Sequence, residues 1–164
     1  MINAVVFDLD GTLINLPIDY GKLFQQFSKV TRNKNVRPLT KTIPQLDEST
    51  KKKIFEIWDK TELEAFTHVT VNADGMALYE GFREKPKALV TMQGKLLVQK
   101  FLNCFSLSFD CTVTREQSLD RIEQLKIVAE KLKVPIKNML FIGNTDDDLS
   151  AAKKLGCQFL KVTT

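Results

Sequence analysis

Histidine is nearly absent from this 164-residue chain. His68 is the one example, and it reads as an incidental residue of a helical segment. Cysteine occurs three times, at Cys104, Cys111 and Cys157. An odd number without metal-ligand spacing argues against a disulfide framework and a cysteine metal site, and leaves reduced, mostly buried thiols. No apolar run approaches the roughly 20 residues of a membrane span. The first residues lack the basic stretch of a secretory signal, and the apolar run behind them is too short to be one. A cytoplasmic protein without membrane contact is the expectation. There is no internal repeat and no low-complexity tract. Neither sign of charge dominates: 24 Lys and Arg stand against 20 Asp and Glu, a net charge of +4. That balance admits an anionic substrate and gives no argument for nucleic acid. Lys51, Lys52 and Lys53 read as a solvated helix start.

What remains is ordinary globular composition, 43% apolar and 27% charged, in a chain long enough for one domain with an insertion. Ile2–Phe7 is a continuous apolar run of the kind found in strands covered on both faces. Similar runs occur at Ala88–Thr91, Met139–Ile142 and Phe159–Val162. Helical stripes lie between them, through Leu96, Leu97, Phe101 and Cys104, then through Ile122, Leu125, Val128, Ala129 and Leu132. A third, Leu149, Ala152 and Leu155, stops at Gly156, a natural helix end. Strands alternating with helices predict an α/β fold with a doubly wound parallel sheet. From about Asn15 to Phe82 no parallel-strand run is evident. Tyr20, Leu23, Phe24, Phe27 and Val30 keep helical spacing, and Ile54, Ile57, Trp58 and Phe66 suggest further helix, with Trp58 packing inside it. The polar stretch Thr31–Lys53, with Pro38 and Pro44, reads as a loop or loosely packed connection. The expectation is a core of residues 1–14 and 83–164 and a helical lid of residues 15–82.

The chemistry gathers at strand ends. Ligands of open parallel sheets bind at the carboxyl ends of the strands. The first strand ends in Asp8-Leu9-Asp10-Gly11-Thr12, the second in Thr91, and the third in Gly143-Asn144-Thr145-Asp146-Asp147-Asp148. Buried carboxylates close together require a cation. An oxygen-rich set of this kind suits Mg²⁺. A carboxylate beside such a metal suggests nucleophilic catalysis on phosphorus, with Asp8 forming an aspartyl-phosphate. Asp10 is placed to protonate the leaving oxygen and later to deprotonate water. Gly11 lets the backbone turn closely around a phosphate, and Thr91 has a hydroxyl to offer a phosphoryl oxygen.

These residues resemble the motifs of the haloacid dehalogenase-like superfamily, most of whose members are Mg²⁺-dependent phosphatases. The first motif is present unchanged as VVFDLDGTL, the second corresponds to ALVTM, and the fourth to GNTDDDLSAAKKLG. The resemblance implies a Rossmann-like core with a helical cap inserted after the first strand. It also implies that Asp8 is nucleophile and metal ligand, and that Asp10 is acid/base and binds metal through its main-chain carbonyl. Gly11, Thr12, Thr91 and Arg121 would then hold the phosphate, and Asp8, Asp10, Asn144 and Asp148 the Mg²⁺.

Two positions depart from the family pattern. Asn144 stands where a metal-ligating aspartate is usual, while Asp148 keeps the second acidic position and Asp147 is a substitute ligand if the loop shifts. The third-motif lysine has no direct counterpart. Counting back from the helix without gaps reaches Leu119, and removing two loop residues reaches Arg121, whose planar fork is not equivalent to a lysine charge. The expected function is hydrolysis of a small phosphorylated metabolite by a monomer or weak dimer. A binding or regulatory module with weak or no catalysis is the alternative. Dehalogenation fits less well because that branch lacks the second aspartate of the first motif, and a phosphomutase would share the same nucleophile and acid/base.

Overall fold

The computed structural model describes residues 1–163. In chain order the strands are β1 (Ala4–Phe7), β2 (Ile14–Asn15), β3 (Thr70–Val71), β4 (Lys87–Val90), β5 (Cys111–Val113), β6 (Met139–Gly143) and β7 (Gln158–Lys161). Five of them form one sheet in the order β5-β4-β1-β6-β7, with every pairing parallel. The central strand β1 is held on both sides: Val5 is in register with Lys87 of β4 and with Leu140 of β6. All of β1 and β6 is buried, which is why these segments read as unbroken apolar runs.

The helices are α1 (Tyr20–Thr31), α2 (Leu39–Thr42), α3 (Glu48–Phe66), α4 (Ala73–Gly81), α5 (Lys95–Phe105), α6 (Arg121–Leu132) and α7 (Asp146–Leu155). Side chains of a strand alternate between faces, and β1 builds two cores accordingly. Val5 and Phe7 pack with Tyr79 of α4 and with Leu97, Val98 and Phe101 of α5. Ala4 and Val6 pack with Leu125 and Val128 of α6 and Ala151 and Ala152 of α7. This is the doubly wound arrangement that the alternating pattern predicts. Strand β5 carries no signature in the sequence, because three residues are too few to show a pattern.

The helices α1 to α3 lie between β2 and β3 and build a third core of Leu23, Phe27, Val36, Ile43, Ile54 and Trp58. Asp19 caps α1 by accepting from Lys22 N–H at 3.1 Å, and Asp47 caps α3 by accepting from Thr50 N–H at 2.7 Å. The expectation of a loose connection over Thr31–Lys53 is corrected here. That stretch contains α2, a 3-10 turn at Ile43–Gln45 and the start of α3, and buries Val36 and Ile43. Its prolines interrupt a long helix without preventing short ones. Met92 and Leu119, from the loops after β4 and before α6, pack into the same apolar cluster. The insertion is therefore seated on the carboxyl-end loops of the sheet.

Residues 70–82 behave differently from α1–α3. β3 pairs antiparallel with β2, and Tyr79 of α4 packs its ring 6.0 Å from Phe7 and 5.4 Å from Phe109. None of the described helices is long and apolar enough to cross a membrane. Cys111 and Cys157 are buried free thiols and Cys104 is exposed.

Candidate active site

The chain runs from β1 outward to β4 and β5, then crosses to β6 on the other side of β1. That reversal opens a crevice at the carboxyl ends of β1 and its neighbours. Asp8 follows β1 there and is 5% exposed. The next residues form a tight loop: Gly11 N–H donates to Ile14 O at 2.7 Å and Leu13 N–H to Leu9 O at 2.9 Å. Gly11 has a φ of +84°, a conformation that costs glycine nothing. A Cβ there would also collide with the Asn144 amide. From the far side, Asn72 Nδ2 donates to Gly11 O at 3.4 Å, and Asn72 N–H donates to Leu13 O at 2.9 Å.

Arg121, the first residue of α6, lies against this loop. Its Nη2 donates to Asp8 Oδ1 at 2.9 Å and its Nε to Asp148 Oδ1 at 3.0 Å. The third edge of the guanidinium, Nη1, donates to Gln124 Oε1 at 2.6 Å. Leu119, the other position considered for the third motif, is buried in the apolar cluster with the insertion. Asp148 is engaged on both oxygens. Its Oδ2 accepts from Asn144 N–H at 3.2 Å and Thr145 N–H at 3.4 Å, and with Thr145 it completes a reciprocal cap on α7. Asp147 is exposed on the first turn of the same helix. Asp146 pairs at the surface with Lys161 at 3.1 Å.

The remaining candidates are close by. Thr12 is fully buried, and its hydroxyl donates to Asp8 Oδ2 at 3.3 Å. Thr91 is buried at the end of β4, its hydroxyl bonded to Gln93 Oε1 and accepting from Gln93 N–H at 3.1 Å. Asp10 is half-buried, and its Oδ1 accepts from Leu16 N–H at 2.9 Å. Burial pushes the Asp8 carboxyl up to about 7; Arg121 opposes the shift and Asp148 adds to it. Burial also raises Asp10, against the pull of the Leu16 and Gly11 N–H groups.

The donors around the crevice are hard oxygens. Among the described residues no three His, Cys, Asp or Glu side chains gather into a metal cage. One orphan stands out: Asn144 Oδ1 is buried without a hydrogen-bond partner. A buried acceptor left unpaired is costly, and a hard cation is the kind of group that would satisfy it.

The family model for haloacid dehalogenase-like hydrolases matches residues 5–162. The chain belongs to that family. Among solved structures, a hydrolase from Pseudomonas syringae shares 17% identity at a TM-score of 0.71, over 96% of this chain and 82% of that one. CbbY from Rhodobacter sphaeroides, solved with phosphate, shares 15% identity at a TM-score of 0.71, over 100% of this chain and 87% of its own. A family enzyme from Bacteroides thetaiotaomicron, solved with magnesium and inorganic phosphate, shares 16% identity at a TM-score of 0.58, over 98% and 94% of the two chains. At such identities the likeness is one of fold. No curated protein matches the sequence.

Two groups of residues at this candidate site lie outside the expectations from the sequence. Gln124 is fully buried beside Arg121; its signal is a polar residue three places after the arginine, on a helix otherwise apolar on its inner side. The second group is Arg115 with Asp59 and Glu62 of α3. Arg115 Nη1 donates to Glu62 Oε2 at 2.8 Å, its Nη2 pairs with Asp59, and its guanidinium lies 4.2 Å from the Trp58 ring centroid. The partners are more than 50 residues apart in sequence, so no local pattern could reveal them. The group also holds the loop after β4: Arg115 Nη1 donates to Met92 O at 3.3 Å, and Glu62 Oε1 accepts from Gly94 N–H at 3.0 Å. A Cβ on Gly94 would collide with Asp59 and Arg115.

Proposed function

We propose that this chain is a Mg²⁺-dependent phosphatase acting on a small phosphomonoester through an aspartyl-phosphate on Asp8. The observation that carries the reading is the Asp8 carboxylate at the end of the central strand, with the Arg121 guanidinium 2.9 Å away. The phosphate and magnesium complexes of the family's solved members support the same substrate class.

In this reading an Asp8 oxygen attacks phosphorus while the bond to the leaving oxygen breaks. Asp10, its carboxyl raised by burial, gives its proton to that oxygen. It then takes a proton from the water that attacks the aspartyl-phosphate, which releases inorganic phosphate and restores the Asp8 carboxylate. Arg121, the Thr91 hydroxyl, and the loop at Gly11 and Thr12 hold the phosphoryl oxygens. The Asp8 carboxylate, the Asp10 carbonyl and Asn144 Oδ1 would hold Mg²⁺, which would supply the positive charge that lets a carboxylate approach an anionic ester. Asp148 supports the site through Arg121 and the Asn144 loop. Helices α1–α3, within residues 15–82, serve as the cap that excludes water and selects the substrate, while α4 stays with the core, where Tyr79 packs beside Phe7.

Hydrolysis of p-nitrophenyl phosphate with and without Mg²⁺ tests the reading. Asp8→Asn removes the nucleophile and is expected to reduce turnover to background while the circular dichroism spectrum is retained. Undiminished hydrolysis by Asp8→Asn overturns the mechanism. A wild-type protein inert toward every phosphomonoester tried overturns the enzyme reading and favours a binding module.

A further inference from the structure

The guanidinium of Arg121 carries five N–H donors fixed in one plane. Two of its edges face carboxylates, Asp8 and Asp148. Each of those contacts is a single hydrogen bond to a different residue, and both leave Nη1 to another partner. The third edge is closed by Gln124, whose Oε1 accepts from Nη1 at 2.6 Å. Gln124 is itself immobilised: its Nε2 donates to Thr91 O at 2.8 Å and to Ser118 O at 2.9 Å. It is fully buried, and both amide hydrogens and its oxygen have partners. Apolar residues would fill this space more cheaply, since a buried amide must have every group satisfied. The polar side chain is also oriented by its partners: the two carbonyls accept only from the amide nitrogen, so the oxygen is turned toward Arg121. Thr91 follows strand β4 and Arg121 opens helix α6, the two elements proposed to meet the phosphate, and Gln124 joins them directly.

We propose that Gln124 is a positioning residue that fixes the Arg121 guanidinium over Asp8 and registers it against the end of β4. This deepens the function proposed above, because it assumes that Arg121 holds the phosphoryl group. Three substituted proteins and two readouts test it. Gln124→Met keeps the length and removes both polar ends. Gln124→Glu keeps the acceptor for Arg121 but turns an oxygen toward the Thr91 and Ser118 carbonyls. Arg121→Lys has no third edge to be held.

The first readout is the rate of hydrolysis of p-nitrophenyl phosphate with Mg²⁺. Loss of a hydrogen bond to a charged group corresponds to a fall of about tenfold or more in kcat/KM, and Gln124→Met is expected to show it. Gln124→Glu keeps the acceptor for Arg121 but loses both bonds to the Thr91 and Ser118 carbonyls, and is expected to lose less than Gln124→Met on the same scale. Adding Gln124→Met to Arg121→Lys should change kcat/KM little, since the group through which Gln124 acts is gone. A residue that merely supported the fold would cost the same factor in both backgrounds, and that result overturns the proposal. So does equal loss in Gln124→Met and Gln124→Glu.

The second readout needs no turnover. The ¹⁵N-bound side-chain protons of Arg121 should be resolved and slow to exchange in the wild type. They should average and exchange rapidly in Gln124→Met and remain resolved in Gln124→Glu. Identical Arg121 resonances in all of these proteins overturn the positioning role. If the wild type hydrolyses nothing but the resonances respond as described, the enzyme reading fails and the positioning of Arg121 stands.

Discussion

Replacing Arg115 by leucine tests how the helical insertion is held to the sheet. The Arg115 and Glu62 side chains are both fully buried, and that of Asp59 is 19% exposed. Leucine keeps contact with Trp58 but leaves two carboxyl groups without their cation. Removing one partner of a buried ion pair costs about 3–5 kcal/mol. For a chain of this size about 1 kcal/mol moves the melting temperature by 2–4 °C, so Arg115→Leu should melt roughly 6–20 °C below the wild type.

The loss should depend on pH. Burial raises the Glu62 carboxyl to about 7 from its ordinary 4.5, with Arg115 pulling the other way. A carboxyl raised in the folded state adds stability that is present below pH 4.5 and lost as pH rises through about 7. Without Arg115 the folded value climbs further, and each added unit deepens the loss above pH 7 by about 1.4 kcal/mol. Burial raises Asp59 as well, with the same sign. Thermal denaturation followed by circular dichroism should therefore show a smaller gap between the two proteins at pH 5.5 than at pH 8. Adding Glu62→Gln to Arg115→Leu should narrow the gap at pH 8. A gap independent of pH, or a variant melting with the wild type, refutes the account.

Asn144→Asp adds a charge to the orphaned amide position and should lower the Mg²⁺ concentration for half-binding, read by calorimetry; an unchanged midpoint would mean that Asn144 is not a ligand. Asp148→Ala removes the side-chain half of the reciprocal cap on α7 and one anchor of Arg121, while Thr145 still caps the helix. It should lower stability by about 1 kcal/mol in urea unfolding, and raise the Mg²⁺ requirement; a protein unchanged in both contradicts the role given to Asp148. Gly11→Ala forces a side chain at φ +84° into the Asn144 amide; the strain should cost of order 1–3 kcal/mol, and the variant should bind Mg²⁺ more weakly than Asn144→Asp.

Much of the fold is legible in the sequence because buried parallel strands require unbroken apolar runs. Ala4–Phe7 and Met139–Gly143 announce themselves in this way. β5 does not, because its pairing with β4 arises from the neighbouring strand rather than from its own three residues. At the site, the strand-end residues Asp8, Thr91 and Asn144 follow from local order alone. Arg121 was one of two positions that counting allowed; packing separates them, sending Leu119 into the apolar cluster and Arg121 to the acids. The Arg115 cluster was illegible because its members are distant in the chain and are polar residues in a place that composition assigns to apolar ones.

The amide of Gly94 has a consequence of its own. Its hydrogen is held by Glu62, a carboxylate on the inserted helix α3, whereas the neighbouring Arg115 N–H is held by Gln93 O within the loops of the sheet. Exchange of the Gly94 hydrogen with deuterated water requires the insertion to lift away from the loop, while exchange at Arg115 requires the loops themselves to part. Two amides that lie near each other therefore report on different openings of the molecule. Their ratio of exchange rates measures how often the insertion moves as a body, without a label or any change of residue.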